Sequence, residues 1–270
     1  MQDPLISLTT DFGAGSPYVA AMKGVILGIN PAARLVDLSH DVPAQDVPHA
    51  AYLLAAAVPY FPASVLHVAV VDPGVGSARA VLYVEVDGHR LLVPDNGCWT
   101  LLVREGSPPP LVYRVSEPRF WRQPVSATFH GRDIFAPVAA HLSLGLAPQA
   151  LGPPAAEWVV LPQRPPRIEA DRLAGEVEFM DHFGNLITNI PGPDFTALAG
   201  RPVRIQVAGQ DVPRRVRTYA DAEPGSLVAL VSSSGRLEIA VAQGSAARQL
   251  QARVGTEVTV TAQDTGTDGL

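Results

Sequence analysis

The chain has 270 residues, 47% of them hydrophobic and 17% charged, with a net charge of -6. This composition supports a substantial core and excludes global disorder, and the acidic balance argues against a general nucleic-acid binder without excluding an anionic small ligand. A single cysteine, Cys98, excludes an intramolecular disulfide and a thiolate metal cage and fits a cytoplasmic setting, while the start MQDPLISLTT lacks a signal-peptide pattern and no apolar run is long enough to span a membrane.

The first half alternates strand-like and helix-like runs. Leu5 to Thr9 reads as a strand, and Ser16-Pro17 then supplies an N-cap and a proline at the first helical position for the helix YVAAMKGVILGI. Arg34 to Leu38 reads as a second strand and 46-DVPHAAYLLAAAVPYF-61 as a second helix capped by Asp46. Val65 to Val71 is an unbroken apolar strand, as expected inside a parallel sheet covered on both faces. Ala80 to Val86 and Arg90 to Val93 flank Asp87-Gly88 as a hairpin, and a further helix follows Gly131 to about His141. The expectation is an α/β domain over 1–146, with a central, mostly parallel sheet and flanking helices.

Composition then shifts. The span 147-APQALGPPAAEWVVLPQRPP-166 holds six prolines and no helical period, and 147–170 reads as a linker. Beyond it come short strands with turn signals: GEVEFMD, NLITNI, PVRIQVA, SLVALV, RLEIAVA and EVTVTA. They suggest an all-β, barrel-like domain over 171–264, with a frayed tail at 265–270.

Four glycine-rich polar clusters follow strands or precede a helix: 9-TTDFGAGSPY-18, 72-DPGVGSAR-79, 94-PDNG-97 and 128-TFHGRDIF-135. Ligands of open α/β sheets bind at the carboxyl ends of strands, so these clusters are expected to converge on one crevice. Each has a bland reading. Asp11 can close an Asx turn, PDNG can be a tight turn, Asp133 can cap a helix, and His130 can be a satisfied structural histidine. DPGVG lacks the lysine and the spacing of a phosphate loop. Cys98 and His67 read as core residues. Asp11, Asp72, Asp95, His130 and Asp133 offer donors to a divalent cation, but Arg79 and Arg132 share their clusters and oppose one; no metal is expected.

Together TTDFG, VVDPGVGSAR, PDNG, TFHGRDIFAP, 181-DHFGNLITN-189 and SSSGRLEIAVAQGSAA resemble the S-adenosylmethionine (SAM) hydroxide adenosyltransferase family, also called DUF62, relatives of the SAM-dependent fluorinase and chlorinase. The resemblance runs from about residue 5 to 260. It implies an N-terminal α/β domain, a C-terminal β-barrel, and a homotrimer with active sites at subunit interfaces. It also implies hydrolysis of SAM to adenosine and L-methionine with no cofactor. Carried over by motif, the catalytic set falls on Asp72, Arg79 and His130. Substrate binding falls on Asp11 and Asn185 at the ribose and Tyr219 at the adenine ring. Ser233 and Ser234 fall where methionine is held, and Ser245 and Ala246 at the adenine edge.

The chemistry needs a weak nucleophile placed in line with the ribose C5′–S bond, since the leaving thioether is neutral and needs no acid. A neutral His130 suits proton removal from water, and Arg79 favours an ionised Asp72. The halogenases resemble this chain elsewhere but lack the acidic residue and the histidine at the positions of Asp72 and His130, which favours water over halide. A non-catalytic SAM- or adenosine-binding module is the remaining alternative. In the opening of the fourth cluster, Gly131 is read as giving the substrate close approach, and Arg132 and Asp133 as bracing the loop.

Overall fold

Strand β1 (Leu5–Thr10) lies inside the first sheet, with Ile6 to Thr10 buried on both faces and both edges paired. The computed structural model describes residues 4–104 and 106–263, and they form two units, Met1–Pro162 and Gln163–Leu270. In the first, β1 is followed by α1 (Pro17–Ile29), β2 (Arg34–Ser39), α2 (Val47–Ala57), β3 (Leu66–Val70), β4 (Val81–Val86), β5 (His89–Pro94) and β6 (Leu111–Arg114), and after a long loop by α3 (Ala136–Ser143). The strand order is β2-β1-β3-β5-β4-β6. β1 pairs in parallel with β2 and β3, and β3 with β5; β4 and β6 are antiparallel, so the sheet is mixed.

Local chemistry explains the element ends. Ser16 caps α1 by accepting the Tyr18 N–H at 3.2 Å, with Pro17 behind it, and Asp46 caps α2 by accepting the His49 N–H at 2.9 Å. The β4–β5 hairpin turns on Asp87 and Gly88, both with positive φ, as a type I′ turn requires. Every residue of β3 is buried: Leu66, Val68 and Val70 pack with α1 and α3, while Ala69 joins α2 on the other face.

The helix expected after Gly131 opens differently. Residues Gly131–Phe135 form one π-turn before α3, and the wider turn carries the chain out of register just after His130.

Residues 147–162 are tied to the first unit. Leu151 is fully buried, Pro154 bridges Tyr113, Val159 N–H donates to Asp95 Oδ1 at 2.8 Å, and Leu161 N–H donates to Thr100 Oγ1 at 3.1 Å.

The second unit holds β7 (Arg167–Ile168), β8 (Arg172–Met180), β9 (Leu186–Pro191), α4 (Gly192–Leu198), β10 (Val203–Val207), β11 (Gln210–Asp211), β12 (Arg214–Arg215), β13 (Leu227–Val231), β14 (Arg236–Val241), α5 (Ala246–Leu250) and β15 (Glu257–Ala262). Its sheet runs β11-β10-β15-β8-β9-β14-β13-β12, with β7 beside β8. Val177, Leu186, Leu237, Ile239, Val258 and Val260 fill its core. The two short helices qualify the all-β expectation. The tail at 265–270 lies outside the described residues. Among the described residues no helix is long and apolar enough to cross a membrane.

Gly76 ties the loop after β3 to the segment before the π-turn. Its φ is +79°, and a Cβ there would stand 2.3 Å from the Ala127 carbonyl oxygen. Gly88 has the same φ with open space around it. Gly76→Ala is therefore expected to cost about 2 kcal/mol or more, and Gly88→Ala less, because only the former adds a clash to the backbone strain. Urea unfolding of the two variants beside the parent checks this.

Candidate active site

The carboxyl ends of β1, β3 and β5 bring Asp11, Asp72 and the PDNG turn to one edge of the first sheet. Asp72 follows β3, and its loop doubles back through an Asx turn. Gly74 N–H donates to Asp72 Oδ1 at 3.2 Å, and Ser77 Oγ–H donates to Gly74 O at 2.7 Å. The return brings Arg79 Nη2 onto Asp72 Oδ2, and the two side chains are only 9% and 3% exposed. Arg79 Nη1 also donates to Ala80 O at 2.7 Å, an acceptor shared with Asp95 N–H at 2.9 Å. PDNG is a brace: Asn96 Nδ2 donates to Val71 O at 2.8 Å, directly before Asp72.

His130 immediately precedes the π-turn. Burial and the positive charge of Arg79 hold its imidazole below the ordinary value of 6.5, against the pull of Asp72 and Asp133, so it is neutral at pH 7. Its Nδ1 is buried, and among the described residues no protein group hydrogen-bonds to it. Burial pushes the Asp72 carboxyl up, with Arg79 and the Gly74 N–H opposing. The Arg79 guanidinium lies 5.9 Å from the centre of the fully buried Phe135 ring within the same π-turn.

Asp133 is the brace expected of it. Fully enclosed, it accepts Arg132 Nε at 2.7 Å and Nη2 at 2.8 Å, Arg122 Nη1 at 3.2 Å and Ser126 N–H at 2.9 Å. Opposed by burial, these donors hold its carboxyl below the usual range. The reading of Gly131 needs correction. A Cβ there would meet Met22 Sδ at 3.1 Å and the Phe12 and Phe129 rings at 3.4 Å, so the glycine serves core packing. Phe12, Tyr18 and Phe129 form an edge-to-face cluster with centroids 5.0–5.9 Å apart, beside Asp11 and His130. Sequence reasoning missed it, because the three rings come from separate segments. Asp11 Oδ2 accepts Gln45 N–H at 2.8 Å.

The second unit has its own pocket of about 620 Å³, lined by Asp181, Phe183, Asn185, Tyr219, Gly244 and Arg248 among others. Asp181 fixes Asn185 by accepting its backbone N–H and its Nδ2, both at 2.9 Å. Tyr219 is half exposed and donates its hydroxyl to the buried Glu238 at 2.5 Å. Ser245 caps α5 beside the 181–185 turn and Ala246 is fully buried. Ser233 and Ser234 lie in the β13–β14 reversal, at the other end of β14 from Gly244, so the structure does not bring them to this pocket. Cys98 is fully enclosed, with its thiol pushed up to about 12, and His67 bonds Ser7 Oγ at 2.7 Å with its imidazole lowered to about 4; both belong to the core.

The first unit thus offers a shielded anion held by a guanidinium beside a neutral base, and the second a pocket with an aromatic wall and amide groups. The family model for the SAM hydroxide adenosyltransferase N-terminal domain matches residues 6–152, and that for the C-terminal domain matches 175–259. An (R)-S-adenosyl-L-methionine hydrolase from Salinispora tropica is 42% identical over 96% of this chain and 98% of that protein. A crystal structure of an uncharacterized conserved protein from Thermotoga maritima superposes with a TM-score of 0.87 at 34% identity, over 95% of this chain and 99% of that one. A fluorinase from Nocardia brasiliensis is more distant, 28% identical over 95% of this chain and 96% of that protein. The chain belongs to the SAM hydroxide adenosyltransferase family.

Proposed function

We propose that this protein hydrolyses SAM, attaching an oxygen of water to ribose C5′ and releasing adenosine and L-methionine. The observation that carries the reading is the buried Asp72–Arg79 pair beside a neutral His130. Both oxygens of Asp72 are engaged, by Gly74 N–H and by Arg79, whereas among the described residues no protein group hydrogen-bonds to His130 Nδ1. His130 is therefore the acceptor of the water proton. The imidazolium that results is stabilised by Asp72 and Asp133 and opposed by Arg79. The developing hydroxide attacks C5′ from the side opposite sulfur, the C5′–S electron pair returns to sulfur, and the thioether departs neutral. Holding water in line is worth up to about 7–11 kcal/mol. Joining hydroxide to sulfonium annihilates charge, which a site poor in water favours.

Asp11 and Asn185 are assigned to the ribose, Tyr219, Ser245 and Ala246 to adenine, and Ser233 and Ser234 to methionine's carboxylate and amine. The name of the Salinispora relative specifies the (R) sulfonium, and the same epimer is proposed here. The reaction needs no cofactor or metal, because the leaving group requires no acid. A homotrimer in which a neighbouring copy supplies the nucleoside pocket completes the proposal, and the free Cys98 suits a reducing cytoplasm. A halide nucleophile is disfavoured because Asp72 would repel it.

Mass analysis of products tests the reaction. In ¹⁸O-water, with and without chloride, adenosine should carry one heavy oxygen in the ribose; a 5′-chloro product, or binding without turnover, would overturn the reading. The pH profile tests the roles. Activity requires ionised Asp72, raised above 3.8, and neutral His130, lowered below 6.5. It should be present above both transitions and lost as pH falls, so kcat/KM should show an acid limb above pH 3.8, set by the higher of the two groups. A kcat/KM that stays level down to pH 3.8 would contradict these roles.

A further inference from the structure

We propose that His40 is a positioning residue for Asp11, acting through a polarised chain of side chains that runs from α1 to the end of β1. The proposal rests on the reading of Asp11 as a ribose ligand. The chain starts at Lys23, whose Nζ donates to Asp37 Oδ2 at 2.7 Å. The other oxygen, Asp37 Oδ1, stands 3.0 Å from His40 Nε2, outside the alignment of a hydrogen bond. His40 Nδ1 meets Thr10 Oγ1 at 2.9 Å, and Phe12 N–H donates to the same oxygen at 3.3 Å.

Thr10 Oγ1 has two lone pairs and one proton, so it holds the Phe12 N–H and the His40 ring together, whichever of Thr10 and His40 donates to the other. Thr10 and Phe12 are the two neighbours of Asp11 in the chain, so the relay brackets it. The main chain repeats the clamp: Gly13 N–H donates to His40 O at 2.8 Å, and Ala14 N–H donates to Asp41 Oδ1 at 3.1 Å. Asp11 Oδ2 closes it on Gln45 N–H.

Two further observations mark the assembly as built for position. The β1–β2 ladder slips between Leu8 and Thr9, pairing Leu8 with Asp37 but Thr9 with Ser39, and such irregularities re-aim side chains near sites. The His40 side chain is only 9% exposed and Thr10 is 1% exposed, so the inner links are shielded from competing water. The other links serve Asp11: with Oδ2 held by Gln45, its aim depends on the backbone that His40 grips from both sides.

The test compares steady-state KM and kcat for SAM, and adenosine affinity by calorimetry, in Thr10→Val, His40→Leu, His40→Asn and Asp11→Asn. Thr10→Val is isosteric and removes only the hydroxyl, so it serves if His40→Leu fails to fold. The proposal expects Thr10→Val and His40→Leu to raise KM and the adenosine Kd about five- to tenfold, in the direction of Asp11→Asn, with a smaller change in kcat. His40→Asn, which restores a polar atom facing Thr10, should recover part of the loss. If Asp11→Asn weakens adenosine binding and the Thr10 and His40 variants bind as the parent does, the inference is overturned while the reading of Asp11 stands. If Asp11→Asn itself leaves binding unchanged, both fall.

Discussion

Two opposite charges, Asp72 and Arg79, have been taken almost entirely out of water, and the surrounding loops exist to hold them together. Burying an ion costs several kcal/mol, and the attraction offsets this only when geometry is good and the remaining donors and acceptors are satisfied. Here Gly74 N–H takes the second carboxylate oxygen and Ala80 O takes a second guanidinium nitrogen, while Arg79 Nε is buried without a hydrogen-bond partner among the described residues. Asn96 pins the end of the strand, and the missing side chain at Gly76 lets the loop rest on Ala127. Removing either partner would leave an uncompensated charge, so the pair and its loop form one unit.

That unit sets the electrostatics of its neighbour. His130 is pressed toward its neutral form by burial and by Arg79, while Asp72 and Asp133 wait to stabilise its cation. An imidazole in this setting gives up little by staying neutral and gains support once it accepts a proton. Asp133 ties the segment around His130 by accepting from Arg122, Ser126 and Arg132, so the imidazole sits on a braced turn.

Much of the scaffold was legible because its signals are local. Ser16-Pro17 and Asp46 mark their helices through contacts within three residues, Asp87-Gly88 needs only its own φ angles, and β3 declares its double burial by composition. The polar clusters were legible as a group because strand ends place them together. What was hidden depends on partners distant in sequence. The π-turn adds a residue that no side-chain period encodes, Gly131 is explained by Met22 more than a hundred positions earlier, and Tyr219, in a short helical turn, is held by Glu238 of β14. The hairpin position of Ser233 and Ser234, a strand length from the pocket lined by Asn185 and Tyr219, likewise follows from strand register rather than motif order.

The most direct test of the account is a double-mutant cycle on single-turnover hydrolysis with Asp72→Asn, His130→Ala and the double variant. If the two groups act on one proton, each single change should slow turnover by about a hundredfold or more, and the double should be little slower than the worse single. Adenosine binding should survive in all three. Losses that multiply, or a single variant that keeps the parent's rate, would contradict a shared role for the Asp72–Arg79 pair and His130.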